Sequence, residues 1–235
     1  SIMQNESAEA AALLEYVLAT AKRFGATSAD AMFAGGSSTS ARVRLGETEE
    51  VKRSRSHGVG LRVLVGQSSA TTSTSDLDRG RLEDLIKRTC EAAQVTASDP
   101  HAGLPDAAQY EALPLAEVDL DLYDPSLESL DVDDALEMAR EAENVAAQQD
   151  ARITNSEGGD ISWGSSHSYL ANSLGVFHER RGGSISLWTT PIAEQDGAMQ
   201  RDYWYTWARH RSDLMAPEAV GKKAAERTLR RLNAV

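Results

Sequence analysis

Leu14, Val17, Leu18, Ala21 and Phe24 recur at spacings of three and four, which predicts a first helix over residues 8–24, with Gly25 placed to end it. The period then changes. In residues 41–45 Val43 and Leu45 share one face and Arg42 and Arg44 the other, while Val59, Leu61, Val63 and Val65 share a face in 59–66. Such alternation predicts short antiparallel strands with one buried side, punctuated by Gly46, Gly58 and Gly66. The Ser/Thr run 67–75 has the composition of a linker, yet threonine suits strands, and an edge strand completes the meander. Leu82, Leu85, Ile86, Cys90 and Ala93 then predict a second helix over 78–96.

Residues 98–125 hold Pro100, Pro105, Pro114 and Pro125, and each proline restricts itself and its predecessor. The segment is read as a crossing with little regular structure. Beyond it the order repeats. A helix over 131–148 opens on Asp131, Asp133 and Asp134, the sign that a helix N-terminus favours. Strand-like runs follow at 151–156, 160–172, 175–193 and 198–208. A last helix starts near Pro217 and carries Arg227, Arg230 and Arg231 toward its C-terminal side. The predicted class is α+β, with antiparallel meanders and helices packed on the sheet in two layers. The predicted organisation is an N-terminal subdomain over 1–97, the crossing segment over 98–125 and a second α+β subdomain over 126–235, each half reading helix, meander, helix.

Composition narrows the function classes. The 235 residues are 41% hydrophobic and 26% charged, ordinary for a globular chain, and no apolar run is long enough to cross a bilayer. Cys90 is the single cysteine, so no intrachain disulfide forms and a cytosolic setting is the default; its helical spacing reads as packing. No charged-then-apolar leader is present. Ser1 and Ile2 before Met3 read as a cloning remnant, and the chain is expected to be a truncated piece of a longer one. A net charge of −12 argues against nucleic acid. Lys52, Arg53 and Arg55 in residues 51–57 form the one basic cluster, and they read best as a charged strand edge.

Complete catalytic constellations are missing from the sequence. His178 and Glu179 begin like a zinc-protease helix, but no histidine follows at 182 or 183, and Gly182 and Gly183 argue for strand. No G-x-S-x-G turn and no phosphate-cradling loop occurs. No catalytic and no metal-ligating residue is assigned. Asn155 with Gly158 and Asn172 with Gly175 are read as tight turns between strands.

Residues 199–210 stand apart: Tyr203, Trp204, Tyr205 and Trp207 sit among Arg201, Asp202 and His210. Period-two alternation places Met199, Arg201, Tyr203, Tyr205 and Trp207 on one face and Gln200, Asp202, Trp204, Thr206 and Ala208 on the other. Both faces mix charge with aromatic area, so neither reads as an ordinary core face. Arg201, Asp202, Tyr203, Trp204, Tyr205 and Trp207 are therefore the candidate contacts for a partner or a peptide. The plainer reading is that these rings cap the sheet against the last helix.

In order along the chain, residues 58–66 (GVGLRVLVG), 72–77 (TSTSDL), 120–127 (LDLYDPSL), 152–159 (RITNSEGG), 170–177 (LANSLGVF) and 197–210 (GAMQRDYWYTWARH) resemble the TldD/PmbA family, also described as modulators of DNA gyrase. The resemblance runs from about residue 10 to the end and is nearest to the PmbA/TldE branch. It implies a bacterial cytoplasmic protein of about twice this length, whose N-terminal half is α+β. It implies metal-dependent peptidase assemblies that trim unfolded peptides. It also implies a TldD-like partner subunit or a self-dimer, with no membrane or nucleic-acid partner. No cofactor is expected in this chain; the zinc-binding H-E-x-x-x-H of the TldD branch would lie past Val235. The leading expectation is thus the N-terminal half of a PmbA/TldE-like subunit serving assembly and substrate guidance. The alternatives are the N-terminal half of a self-sufficient zinc peptidase and a non-enzymatic interaction module.

Overall fold

The computed structural model describes residues 2–111 and 119–232. Helix α1 (Ile2–Arg23) leads into strands β1 (Ser28–Arg44), β2 (Glu47–Val65) and β3 (Ser68–Thr74), followed by α2 (Arg79–Val95) and the short α3 (Ala107–Glu111). A 3₁₀ turn (Pro125–Ser129) precedes α4 (Val132–Gln148), β4 (Ile153–Asn172), β5 (Phe177–Gln195), β6 (Ala198–Arg201), β7 (Trp204–Ala208) and α5 (Pro217–Arg231). The strands hydrogen-bond in the order β3-β2-β1-β4-β5-β6, with β7 also on β5. The α+β class agrees with the sequence reading, as do the long helices, except that α1 begins at Ile2 and the short α3 falls in the segment expected to have little regular structure. Part of the Pro-rich segment, with Pro114, lies outside the described residues.

The strands differ from expectation in length. β1 and β2 run far beyond 41–45 and 59–66, and β4 is one strand where two were expected. Their polar stretches are extended because neighbouring backbone holds them, so no apolar alternation marks them. Gly58 consequently lies inside β2, while Gly46 and Gly66 do occupy turns at positive φ. The expected strand over 198–208 breaks at Asp202 and Tyr203 into β6 and β7.

Two compact units result. The first comprises Ser1–Gly36, Ser56–Leu120 and Ser166–Arg181; the second comprises Ser37–Arg55, Asp121–Ser165 and Gly182–Val235. In the first, Leu14, Val17 and Ala21 of α1 and Leu82, Ile86 and Cys90 of α2 share a core with Val59, Leu61 and Val63 of β2. The Asp78 carboxylate caps α2 by accepting from the Arg81 N–H. Burial pushes the Cys90 thiol up, as packing rather than reactivity requires.

In the second unit, Val43, Ile161, Trp163, Ile185 and Leu187 from the sheet meet Ala139, Ala142 and Val220 from α4 and α5. Asp131 caps α4 by accepting from the Asp133 N–H. The helices are drawn together at Gly221, where an added Cβ would collide with the Ala142 carbonyl. The stretch expected to turn at Asn155 and Gly158 runs within β4 instead, with Gly158 at φ 122°. Its glycines serve close approach: a Cβ on Gly159 would strike the Ala139 carbonyl, and one on Gly158 would lie 2.5 Å from the Val43 oxygen. The other predicted turn is present. The Asn172 side chain accepts from the Leu174 and Val176 N–H groups, and Gly175 takes φ 85°.

Candidate functional site

The candidate surface lies in the second unit, on the strand pair formed by β5 with β6 and β7. Ile192 pairs with Arg201 in β6, and Thr189 pairs with Trp204 in β7, so both short strands keep one register on β5. Continuing that register sets Pro191 opposite Asp202, where the ladder stops. Proline has no N–H to donate, which accounts for the break. Thr228 of α5, fully buried, takes over: its hydroxyl accepts from the Asp202 N–H at 3.2 Å and has the Ala224 carbonyl 2.9 Å away.

Alternation along the segment holds across this break. Met199, Tyr203, Tyr205 and Trp207 are each more than half exposed, whereas Thr206 and Ala208 are buried. Trp204 packs against the core formed with α4 and α5, and the Arg227 guanidinium lies over its ring, 5.4 Å from the centroid. The face carrying Trp204 is therefore a core face, against the expectation that neither would be. The outward face is the aromatic surface. Tyr203, Tyr205 and Trp207 join Ser186, Trp188 and Thr190 of β5 around an open hollow of about 470 Å³. Trp188 stands directly across from Tyr205, and Ser186 from Trp207. Arg209 covers Trp207 at 5.0 Å.

The six candidates thus divide. Tyr203, Tyr205 and Trp207 share the exposed face; Trp204 points inward. Asp202 is mostly buried and pairs with Arg227 at 3.2 Å, and Arg201 pairs with Glu157. Sequence reasoning missed Ser186, Trp188 and Thr190. Their alternation with Ile185, Leu187 and Thr189 was the available signal. β7 has β5 as its partner, and among the described residues its outer edge carries no further strand.

A second polar cluster sits in the first unit. His167 Nε2 lies 2.6 Å from Glu179, while Nδ1 lies 2.9 Å from the Tyr169 hydroxyl and 3.4 Å from the Arg181 guanidinium. Two donors aimed at Nδ1 fix Nε2–H as the proton given to Glu179. Tyr169 is buried and its hydroxyl is pushed up by that burial, with Glu179 and Glu6 adding to the shift. This chain braces the sheet. His178 and Glu179, which began like a zinc helix, alternate along β5, as the strand reading required. Among the described residues no group of three or more His, Cys, Asp or Glu side chains gathers as a metal site, and a zinc ion does not fit them.

Residues 29–93 match the profile of the PmbA/TldA metallopeptidase domain 1, and residues 125–232 match that of the PmbA/TldA metallopeptidase central domain. The chain is 34% identical over 224 residues to the metalloprotease PmbA of Escherichia coli O157:H7, covering 94% of this chain and 49% of that protein. It is 29% identical over 233 residues to a PmbA homolog of Haemophilus influenzae, covering 99% and 50%. The chain therefore spans about half the length of these relatives. A Bacteroides thetaiotaomicron structure, named as a candidate modulator of DNA gyrase, superposes with a TM-score of 0.86 at 28% identity, over 94% of this chain and 50% of that one. TldE from Thermococcus kodakarensis shares the fold at a TM-score of 0.78 and 13% identity, over 95% and 48%. On the two matched profiles and the Escherichia coli relative, the chain belongs to the PmbA/TldD metallopeptidase family.

Proposed function

We propose that this chain is the N-terminal half of a PmbA/TldE-type subunit in a peptidase assembly acting on unfolded peptides, and that it binds and guides the substrate. The observation that carries the reading is the outward face of Tyr203, Tyr205, Trp207 and Trp188 beside the open edge of β7. An extended peptide can add to such an edge through its main chain, which makes recognition tolerant of sequence. The aromatic rings supply contact area at little entropic cost, and an apolar body with a polar tip suits varied side chains. In this reading the bond-breaking group comes from a TldD-type partner, the setting is cytoplasmic and nucleic acid is not a ligand.

The experiment is fluorescence anisotropy with a labelled unstructured peptide, paired with cleavage by an added TldD-type subunit and zinc. Peptide binding that Tyr205→Ser and Trp207→Ser weaken together supports the reading. Wild-type binding that both variants leave intact, or no effect of the chain on cleavage, overturns it.

A further inference from the structure

At the opposite edge of the second unit's sheet from β7, β2 is left bare over much of its length. β3 pairs with β2 only from Val59 to Val65, and residues 47–57 are all exposed. Arg53 and Arg55 form no ion pair among the described residues, and Lys52 pairs with Glu50 of its own strand at 2.8 Å. An open edge of this length is a template for another strand, and natural sheets usually blunt such edges with charge. Here the charge has a further order. Residues 47–55 read Glu-Thr-Glu-Glu-Val-Lys-Arg-Ser-Arg, and they are a palindrome of opposite signs about Val51.

We propose that residues 47–55 pair antiparallel with the same residues of a second copy of this chain, about a twofold axis at Val51. In that register Glu47 faces Arg55, Glu49 faces Arg53 and Glu50 faces Lys52, each pair occurring twice. Thr48 faces Ser54, and Val51 meets its own copy. Directly opposed residues lie on one face in an antiparallel pair, and each of these pairs has matching parity. A slip of two residues either way sets Glu50 against Glu50 or Lys52 against Lys52, so the charges select one register. The axis also satisfies the self-complementarity that a twofold interface requires. The mutual repulsion of two chains carrying −12 each is long-range and screened by salt, whereas these pairs are in contact. The proposal is independent of peptide binding at the aromatic face, which occupies the other edge.

Sedimentation velocity on the 235-residue chain up to about 300 µM tests it. The wild type is expected to show a monomer–dimer equilibrium. The all-acidic variant (Lys52→Glu, Arg53→Glu, Arg55→Glu) and the all-basic variant (Glu47→Lys, Glu49→Lys, Glu50→Lys) each lose at least about tenfold in self-affinity. Mixed together, they associate. A monomeric wild type, a dimer indifferent to both variants, or failure of the two folded variants to associate overturns the proposal. Register is read separately by oxidising Val51→Cys and Arg55→Cys with diamide, since Cys90 is buried. Rapid disulfide dimer at position 51 alone supports the axis; equal or absent cross-linking at both positions refutes it.

Discussion

The Glu143 carboxylate holds the Gly46 backbone: one oxygen accepts the Gly46 N–H at 2.9 Å, and the other accepts the neighbouring Leu45 N–H at 2.8 Å. Glu143 is 3% exposed, so a helix delivers a buried acceptor to the tip of the β1–β2 hairpin. Arg140, one turn earlier on α4, donates to the Gly46 carbonyl and to the Thr48 hydroxyl. Replacing Glu143 by Ala strips both N–H groups of their partner. The expected loss is about 1–3 kcal/mol in urea unfolding, with an unchanged m-value.

Leu45 occupies φ 51° at that tip and Gly46 follows at 81°, the left-handed pair of a two-residue hairpin. Leucine is poorly suited there and is 63% exposed, so its side chain contributes little burial. Leu45→Asn is expected to stabilise the chain by roughly 0.5–1 kcal/mol, measured by the same unfolding curve. Lower stability would show that the leucine makes a contact worth more than its backbone strain.

The aromatic residues separate by direction. Trp204→Ala opens the core under α5 and is expected to cost about 2–4 kcal/mol. Tyr205→Ala and Trp207→Ala are expected to stay within about 0.5 kcal/mol of wild type while weakening peptide or partner binding. Thermal melts beside anisotropy give both readouts. If Trp207→Ala melts as low as Trp204→Ala, the outward face is structural.

Gly221→Ala sets two effects against each other. Helix propensity favours alanine by about 1 kcal/mol. The added methyl, however, meets the Ala142 carbonyl and comes within 3.1 Å of Val145 Cβ, so α4 and α5 have to separate. Overpacking costs about 1–3 kcal/mol or more against backbone, and net destabilisation is expected in differential scanning calorimetry.

His210 supplies a pH test. Hydrogen bonding to the Asp121 backbone raises its imidazole, burial opposes, and the charges of Asp121 and Asp124 reinforce the rise. Its Nε2 lies 2.8 Å from the Asp121 carboxylate. A raised folded value means that the stabilisation is fully present below the unfolded pKa of about 6.5 and disappears as pH climbs through the folded value. The difference in melting temperature between wild type and His210→Gln should therefore shrink from pH 6 toward pH 8.5. A gap that widens instead would show that the neutral imidazole is the form favoured by folding.

Helices were legible because their buried faces carry large residues at regular spacing, as Leu82, Ile86 and Cys90 do on α2. The full strands were not. β1 turns Ala29 and Ala31 inward, too small to register as a hydrophobic pattern, and residues 47–57 of β2 bury neither face. At the aromatic segment, parity was readable from alternation alone. Which face met the core was not, because Trp204 and Trp207 are chemically identical and the helix that covers one of them is distant in sequence. The break at Asp202 was equally hidden, since its cause, Pro191, sits on the neighbouring strand.

The contact between β1 and the turn that follows β4 has a temporal meaning. Ala29 donates its N–H to the Ser173 hydroxyl and accepts the Ser173 N–H, across a sequence separation of 144 residues. At ribosomal speeds of about 5–20 residues per second, the earlier strand waits roughly 7–30 s for its neighbour to be synthesised. During that interval the nascent polypeptide presents an unfinished sheet, a natural client for holdase chaperones.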